Sequence, residues 1–195
     1  MPNSILNRIR RNHGLEHATI HMLSEQHKGF SAQGNSDHRG FHLNIYGNVT
    51  EAEVVAAVEE AHRRLVGGEH QLAVHPNCGT VLVTTAALAT LAAQSVFAFD
   101  QWRYPREKGL RTFDFLNSLP GAVVAVVVAL IVGRPLGVQL QGRFTVDGNL
   151  GDMQVQSVRP VSPSLVTRIF HLLLTGGSRN LPPRAYFVRT TGGEN

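Results

Sequence analysis

The chain has 195 residues, with 18 Lys or Arg against 14 Asp or Glu, so its formal charge is +4. The basic residues are scattered without a dense run, which argues against a nucleic-acid partner. Only 16% of the residues are charged, below the usual ~25%, and Cys78 as the single cysteine excludes an intramolecular disulfide, which favours a reducing compartment.

Residues 4–26 are predicted to form a helix with Ser4 as its N-cap, and the chain start lacks the apolar stretch of a cleavable signal peptide. One face of this helix carries a stripe that we expect to point to the core: Leu6, Ile9, His13, Glu16, His17 and Ile20. Imidazoles four residues apart can bind one divalent metal, and a carboxylate beside them could activate a water. The H-x-x-E-H order is that of the inverzincins. The alternative is an amphipathic helix whose polar core residues are satisfied by other partners.

The next segment, residues 28–40, is rich in Gly, Ser, Asn and Asp and is predicted to be a loop. Phe41–Tyr46 alternates as a strand does. Thr50 and Glu53 form a capping box that begins a helix ending at a Gly-Gly pair, and residues 71–75 are predicted to form a second short strand. This order predicts a small βαβ-like unit packed on the first helix.

A second motif, His75-Pro-Asn-Cys78-Gly, follows on a turn shaped by proline and glycine. With His13 and His17, this imidazole and thiolate would complete a set of three nitrogens and one sulfur that suits zinc. Two other interpretations stay open. Cys78 is either a small buried thiol, or a nucleophile with His75 as its base.

Two apolar blocks come next. Thr80–Phe99 has 20 residues without formal charge, long enough at 1.5 Å per residue to span a bilayer core of ~30 Å. Leu119–Val132 is fully apolar and continues towards Leu140, and a basic loop with Trp102 separates the blocks. These features predict a two-helix membrane hairpin; a buried hairpin in a soluble protein is the alternative.

Two further strands are predicted to complete the sheet, at Met153–Val161 and Ala185–Arg189. Between them, residues 166–174 are predicted to form a short amphipathic helix. The predicted fold class is therefore α+β. Its predicted regions are a metal-site α/β region at 1–79, a membrane hairpin at 80–140, and a β-rich region at 141–195 that packs on the first.

The two motifs, in this order before an apolar hairpin, resemble those of the YqhQ-like bacterial membrane proteins. The stretch Gly40–Val49 between the motifs makes the chain more similar still to a short domain-of-unknown-function family of bacterial membrane proteins. The resemblance covers roughly residues 12–140. It implies a metal-dependent protein of the bacterial inner membrane whose functional residues are His13, Glu16, His17, His75 and Cys78.

The main functional hypothesis is a membrane-associated zinc-dependent hydrolase, with Glu16 as the general base and a peptide as a candidate substrate. The alternative is a metal-stabilised membrane scaffold or sensor, favoured if all four ligands bind at once and close the site. A third hypothesis is a soluble acyl-transfer enzyme that uses Cys78 and His75. The expected partners are membrane lipid and an unidentified substrate, and we expect both termini on the cytoplasmic side.

Overall fold

The computed structural model describes residues 2–103, 112–164, 167–169 and 184–193. Most of the predicted helix at 166–174 and most of the basic loop lie outside these residues. The chain divides into two units: Met1–Val74 with Gly142–Asn195, and His75–Gln141. The three regions predicted from the sequence, with boundaries after residues 79 and 140, stay a prediction.

In the first unit, helix α1 covers Pro2–Gln26. It begins two residues before the predicted cap and ends where predicted. Of residues 11–20, all but His13 are buried, including Arg11, whereas Leu6 is 58% exposed. The predicted division of the helix into a buried apolar face and a solvent-exposed polar face is therefore wrong for residues 11–20. A helix that is buried all round is a central element of its unit, not a surface one.

The described residues form one antiparallel sheet in the order β1-β2-β4-β3. Its strands are β1 (Ser31–Asp37), β2 (Gly40–Tyr46), β3 (Gln154–Val161) and β4 (Arg184–Thr191). The predictions of β2, β3 and β4 are confirmed, but the predicted loop at 28–40 is wrong because it contains β1. This strand pairs with β2 residue for residue across the two-residue turn at 38–39. Its loop-like composition reflects its place at the edge of the sheet.

Helix α2, Glu51–Val66, begins at the predicted capping box. The strand predicted at 71–75 is wrong, because His70–Ala73 forms a 3-10 helix. The βαβ-like unit therefore lacks its second strand, and the sheet is completed by β3 and β4 from the end of the chain. The α+β fold class is confirmed. The core between the helices and the sheet includes Leu15, Met22, Leu23, Phe41, Leu43, Ile45, Val54, Val58 and Leu65.

The second unit is built from helix α3, Gly79–Arg103, and helix α4, Thr112–Leu140. A π-helical turn, Gln141–Thr145, continues α4. The stretches Gly79–Arg103 and Leu116–Thr145 are long and apolar enough to cross a membrane.

The two helices approach closely where Gly133 and Gly137 present no side chain. A Cβ on Gly133 would lie 3.1 Å from the Cα of Thr85, and one on Gly137 would lie 2.9 Å from the Cα of Val81. This G-x-x-x-G spacing lets helix backbones pack closely within a bilayer. Side chains on other faces are exposed, as Ile131 is at 68%.

Candidate metal centre

The first two residues of the candidate site lie one helical turn apart on α1. The ring centroids of His13 and His17 are 4.4 Å apart, and their planes are inclined by 61°. His17 is only 3% exposed, while His13 is half-buried. The i, i+4 spacing thus brings both imidazoles to one place, as the sequence predicts.

Both histidines are held through the same ring nitrogen. The Nδ1 of His17 donates to the carbonyl of Ala73 at 2.7 Å, and the Nδ1 of His13 donates to the carbonyl of Thr145 at 3.0 Å. A carbonyl oxygen can only accept, so the proton lies on Nδ1 and the lone pair of each neutral ring lies on Nε2. Metal-binding histidines are oriented by such bonds, which fix the tautomer and the ring.

Tight packing around Gly14 brings these carbonyl groups to the helix. A Cβ on Gly14 would overlap the carbonyl oxygen of Asp147 and lie 3.1 Å from the Cβ of Ala73. On the same side, Arg10 donates from Nη2 to the carbonyls of Arg143 and Val146, both at 3.3 Å. Because the last carbonyls of a helix lack intrahelical partners, such donors stabilise the helix end. The two hydrogen bonds from Arg10 thus hold the π-helical turn, including Thr145, against α1.

Cys78 completes the cluster. It lies five residues after Ala73 and directly before α3. One ligand atom each from His13, His17 and Cys78 lies within 4.8 Å of the other two, a cluster that could bind a metal. Two imidazole nitrogens and one thiolate are a donor set that zinc accepts.

His75 is not part of this cluster among the described residues. Its Nδ1 accepts a hydrogen bond from the main-chain N–H of Asn77 at 3.3 Å, which leaves the proton of the neutral ring on Nε2. Its own main-chain N–H donates to the Gln141 side chain at 2.8 Å. The structure therefore assembles three of the four predicted ligands, and a ligand role for His75 stays a prediction.

Glu16 is also outside the ligand cluster, and its environment is set by β1. Its side chain is 3% exposed, and the carboxylate accepts a hydrogen bond from the Ser36 hydroxyl at 2.5 Å. A Cβ on Gly34 would overlap the same carboxylate. The roles of Ser36 and Gly34 could not be predicted from the sequence, because small polar residues in this segment are equally typical of a loop.

A buried amide fixes β1 against α1. Asn12 donates from Nδ2 to the carbonyl of Asp37 at 2.8 Å and accepts from the Thr190 hydroxyl at 2.7 Å. Partial burial raises the pKa of the Asp37 carboxyl, but hydrogen bonds and the charge of Arg39 outweigh it and hold this pKa below its usual value. Asp37 therefore stays ionised at the turn that connects β1 and β2.

Comparison with known proteins places the chain in a family. The family described as "Domain of unknown function (DUF6391)" matches residues 8–158, and no solved structure matches. An uncharacterized protein of Picosynechococcus sp. is 33% identical over 150 residues, covering 70% of this chain and 65% of the relative. The chain thus spans just under two thirds of that relative's length. Because the family match covers well over half of the chain, including most of α1, strands β1 and β2 and the hairpin, the chain belongs to the DUF6391 family.

Proposed function

We propose that this protein is a membrane-associated zinc-dependent hydrolase whose metal is held by His13, His17 and Cys78. The cluster of these three residues is the observation that carries the proposal. Three protein ligands leave a fourth position open, as in catalytic zinc sites. When bound there, zinc would act as a Lewis acid that polarises a water or a substrate carbonyl.

Glu16 is the proposed general base. It precedes His17 directly on α1, and the hydroxyl of Ser36 donates to its carboxylate, which restricts the side chain to one orientation. From there it would accept a proton from the attacking water and pass it to the leaving group. Such a role needs a carboxylate that is ordered and shielded from bulk water, and its 3% exposure fits that need.

The proposed location is the bacterial cytoplasmic membrane, with both termini in the cytoplasm. α3 and α4 expose large apolar side chains along their length, such as Val83 at 71%, and a protein in water rarely leaves so large an apolar surface uncovered. Since Cys78 directly precedes α3, we place the metal near the membrane surface. We also propose that the chain is related to the metal-dependent YqhQ-like membrane proteins, whose two motifs those of this sequence resemble.

A metal-stabilised scaffold is the second candidate. In that case the metal would bind α1 to the residue before α3, and its role would be to stabilise the fold. The burial of Glu16 and its bond with Ser36 fit this function as well, because a buried carboxylate needs a partner whether or not it is catalytic.

The test combines metal content with hydrolysis, on protein purified in detergent as wild type, His17→Ala, Cys78→Ala and Glu16→Gln. We expect one zinc per chain in the wild type and in Glu16→Gln, and loss of zinc in the other two. Cleavage of a peptide mixture should occur in the wild type only. Wild-type protein that stays metal-free after incubation with zinc overturns the metal centre. Zinc-loaded wild type that cleaves nothing, together with unfolding on metal removal, establishes the scaffold instead.

A further inference from the structure

The two edges of the sheet differ in how they are protected. β3 carries Arg159 and Pro160, and its pairing with β4 is interrupted by a register shift between Val155 and Ser157. Charged residues, proline and bulges all prevent another strand from pairing with an exposed edge. The β3 edge is thus closed to an additional strand.

β1 has neither the proline nor the register shift, and it carries no positive charge. Its sequence, SAQGNSD, lacks Lys, Arg and Pro, and its seven residues pair with β2 without any shift. Its one charged residue, Asp37, is paired with Arg39 at 3.0 Å. Three consecutive residues of the strand are exposed to solvent: Gln33, Gly34 and Asn35. In the part of the chain that the structure describes, no strand pairs with the outer edge of β1, so this edge is a template for one more strand.

The register identifies which main-chain groups point outward. Asp37 and Gly40 flank a two-residue turn and so form a hydrogen-bonded pair. Bonded pairs alternate along an antiparallel ladder, so the N–H and C=O groups of Ala32, Gly34 and Ser36 point away from β2. Two of these three residues, Gly34 and Ser36, are also those that contact the Glu16 carboxylate. The open main-chain groups therefore lie beside the proposed general base.

We infer that β1 is the docking edge for the substrate, and that the substrate is an extended polypeptide segment that adds to the sheet as a fifth strand. This inference rests on the proposed function and names its substrate class. Outward N–H and C=O groups on every second residue match another peptide backbone, whereas a lipid headgroup offers no such repeat. Backbone bonds at Gly34 and Ser36 hold the bound segment next to Glu16, and proline at the pairing positions of the substrate weakens binding.

The probe is fluorescently labelled, carboxymethylated casein, an unfolded polypeptide, added to the full-length zinc-loaded protein in detergent. We expect the amide protons of Ala32, Gly34 and Ser36 to exchange at least tenfold more slowly by NMR when casein is bound. The amides of Gln33 and Asn35 already bond to β2, so their exchange should not change. This alternation is specific to strand addition. Uniform protection of β1, or none when casein is bound, overturns the inference.

Ala32→Pro removes one outward N–H and should weaken casein binding about tenfold, the loss of one hydrogen bond. Asn35→Ala is the matched control, because it changes an exposed side chain and leaves the backbone intact. If Ala32→Pro does not fold, Gln33→Lys with Asn35→Lys places guarding charges on exposed positions and should weaken binding similarly. Unchanged casein affinity in the folded variant overturns the inference.

Two further outcomes separate this inference from the proposed function. Alternating protection without cleavage supports docking at β1 and contradicts the hydrolase. Cleavage without alternating protection supports the hydrolase and overturns docking at β1. Protection that depends on protein concentration in the absence of casein identifies a second copy of this chain as the occupant, which also overturns the peptide inference.

Discussion

The carboxylate of Glu16 occupies the space that a side chain on residue 34 would fill, and Gly34 is the residue that leaves this space open. α1 and β1 are thereby matched at one point: the strand supplies a gap and, two residues later, the hydroxyl of Ser36 that bonds to the carboxylate. The motif on the helix and the small polar residues of the strand belong to one arrangement, although Glu16 and Gly34 are 18 positions apart in the sequence.

Gly34→Ala should therefore lower the free energy of unfolding by about 1–3 kcal/mol. The added methyl group displaces the Glu16 carboxylate, and the bond from Ser36 is lost with it. Chemical denaturation of the detergent-solubilised protein measures this change. Asn35→Ala, on the neighbouring exposed residue, should change stability little. In a Glu16→Ala background the penalty for Gly34→Ala should largely vanish, and an undiminished penalty there would show that the clash is with something else.

His17→Ala should weaken zinc binding at least about 100-fold, because it removes a ligand, and even the loss of an outer partner costs 10–100-fold. His21→Ala is the matched control. It lies four residues further along α1, but its Nε2 donates to the carbonyl of Val74 at 3.0 Å and it lies outside the cluster. Competition with a chromophoric chelator measures both affinities.

His75→Ala tests the number of ligands. Since His75 lies outside the cluster of His13, His17 and Cys78, we expect the zinc affinity of this variant to stay within a few-fold of wild type. A loss as large as that of His17→Ala would restore the four-ligand set predicted from the sequence, and with it the closed site of a scaffold.

Gly137→Val should destabilise the packing of α3 on α4. The Cβ at this position meets the Cα of Val81 at 2.9 Å, and a backbone atom cannot give way as a flexible side chain can, so we expect a cost of about 1–3 kcal/mol. Gly121→Val is the control, since a Cβ there would meet, among the described residues, only a methyl group of Val96 at 3.4 Å. Thermal unfolding in detergent compares the two, and equal effects would contradict the role of the G-x-x-x-G spacing.

The ion pairs on α2 predict a pH dependence of stability. Hydrogen bonds from Arg63 and then Arg64 lower the pKa of Glu60 to about 2. A pKa lowered in the folded state stabilises the protein above the unfolded value of 4.5, and this contribution is lost as the pH falls towards 2. Wild type should therefore unfold at a slightly higher temperature than Glu60→Gln at pH 6, and the difference should shrink below pH 4.5.

Glu59→Gln controls for net charge in that experiment, because Glu59 is exposed on the same helix. A difference between wild type and Glu60→Gln that persists unchanged at pH 2 would show that the carboxylate acts through packing rather than through its charge.

The sequence predicted those parts of the fold whose local pattern agrees with their final environment. The alternation of Phe41, Leu43 and Ile45 predicted β2, because one face of that strand is buried and the other is not. The capping box predicted the start of α2, since Thr50 and Glu53 satisfy each other locally. The two apolar helices followed from their length and lack of charge.

The sequence could not predict elements that depend on distant partners. β1 shows no clear alternation because only Ala32 on its inward face packs against the apolar core. The next two inward positions, Gly34 and Ser36, contact a glutamate on α1 instead. The apolar periodicity of α1 wrongly predicted a solvent-exposed face for a related reason. Arg11 and Asn12 are buried by residues far along the chain, such as Gly193 and Thr190. Similarly, the carbonyl of Thr145 reaches His13 across 132 positions of sequence.

The strand order has a consequence for how the protein is made. β4 lies between β2 and β3, although it is synthesised after the other three strands of the described sheet. While residues 75–141 are being synthesised, the edge of β2 that will pair with β4 has no partner in the nascent chain, and the carbonyl of Thr145 that orients His13 has not yet been made. Truncation before residue 184 would leave an aggregation-prone intermediate without its central strand. The hydrogen bond that orients His13 for metal binding can thus form only after residues 75–141 have been synthesised.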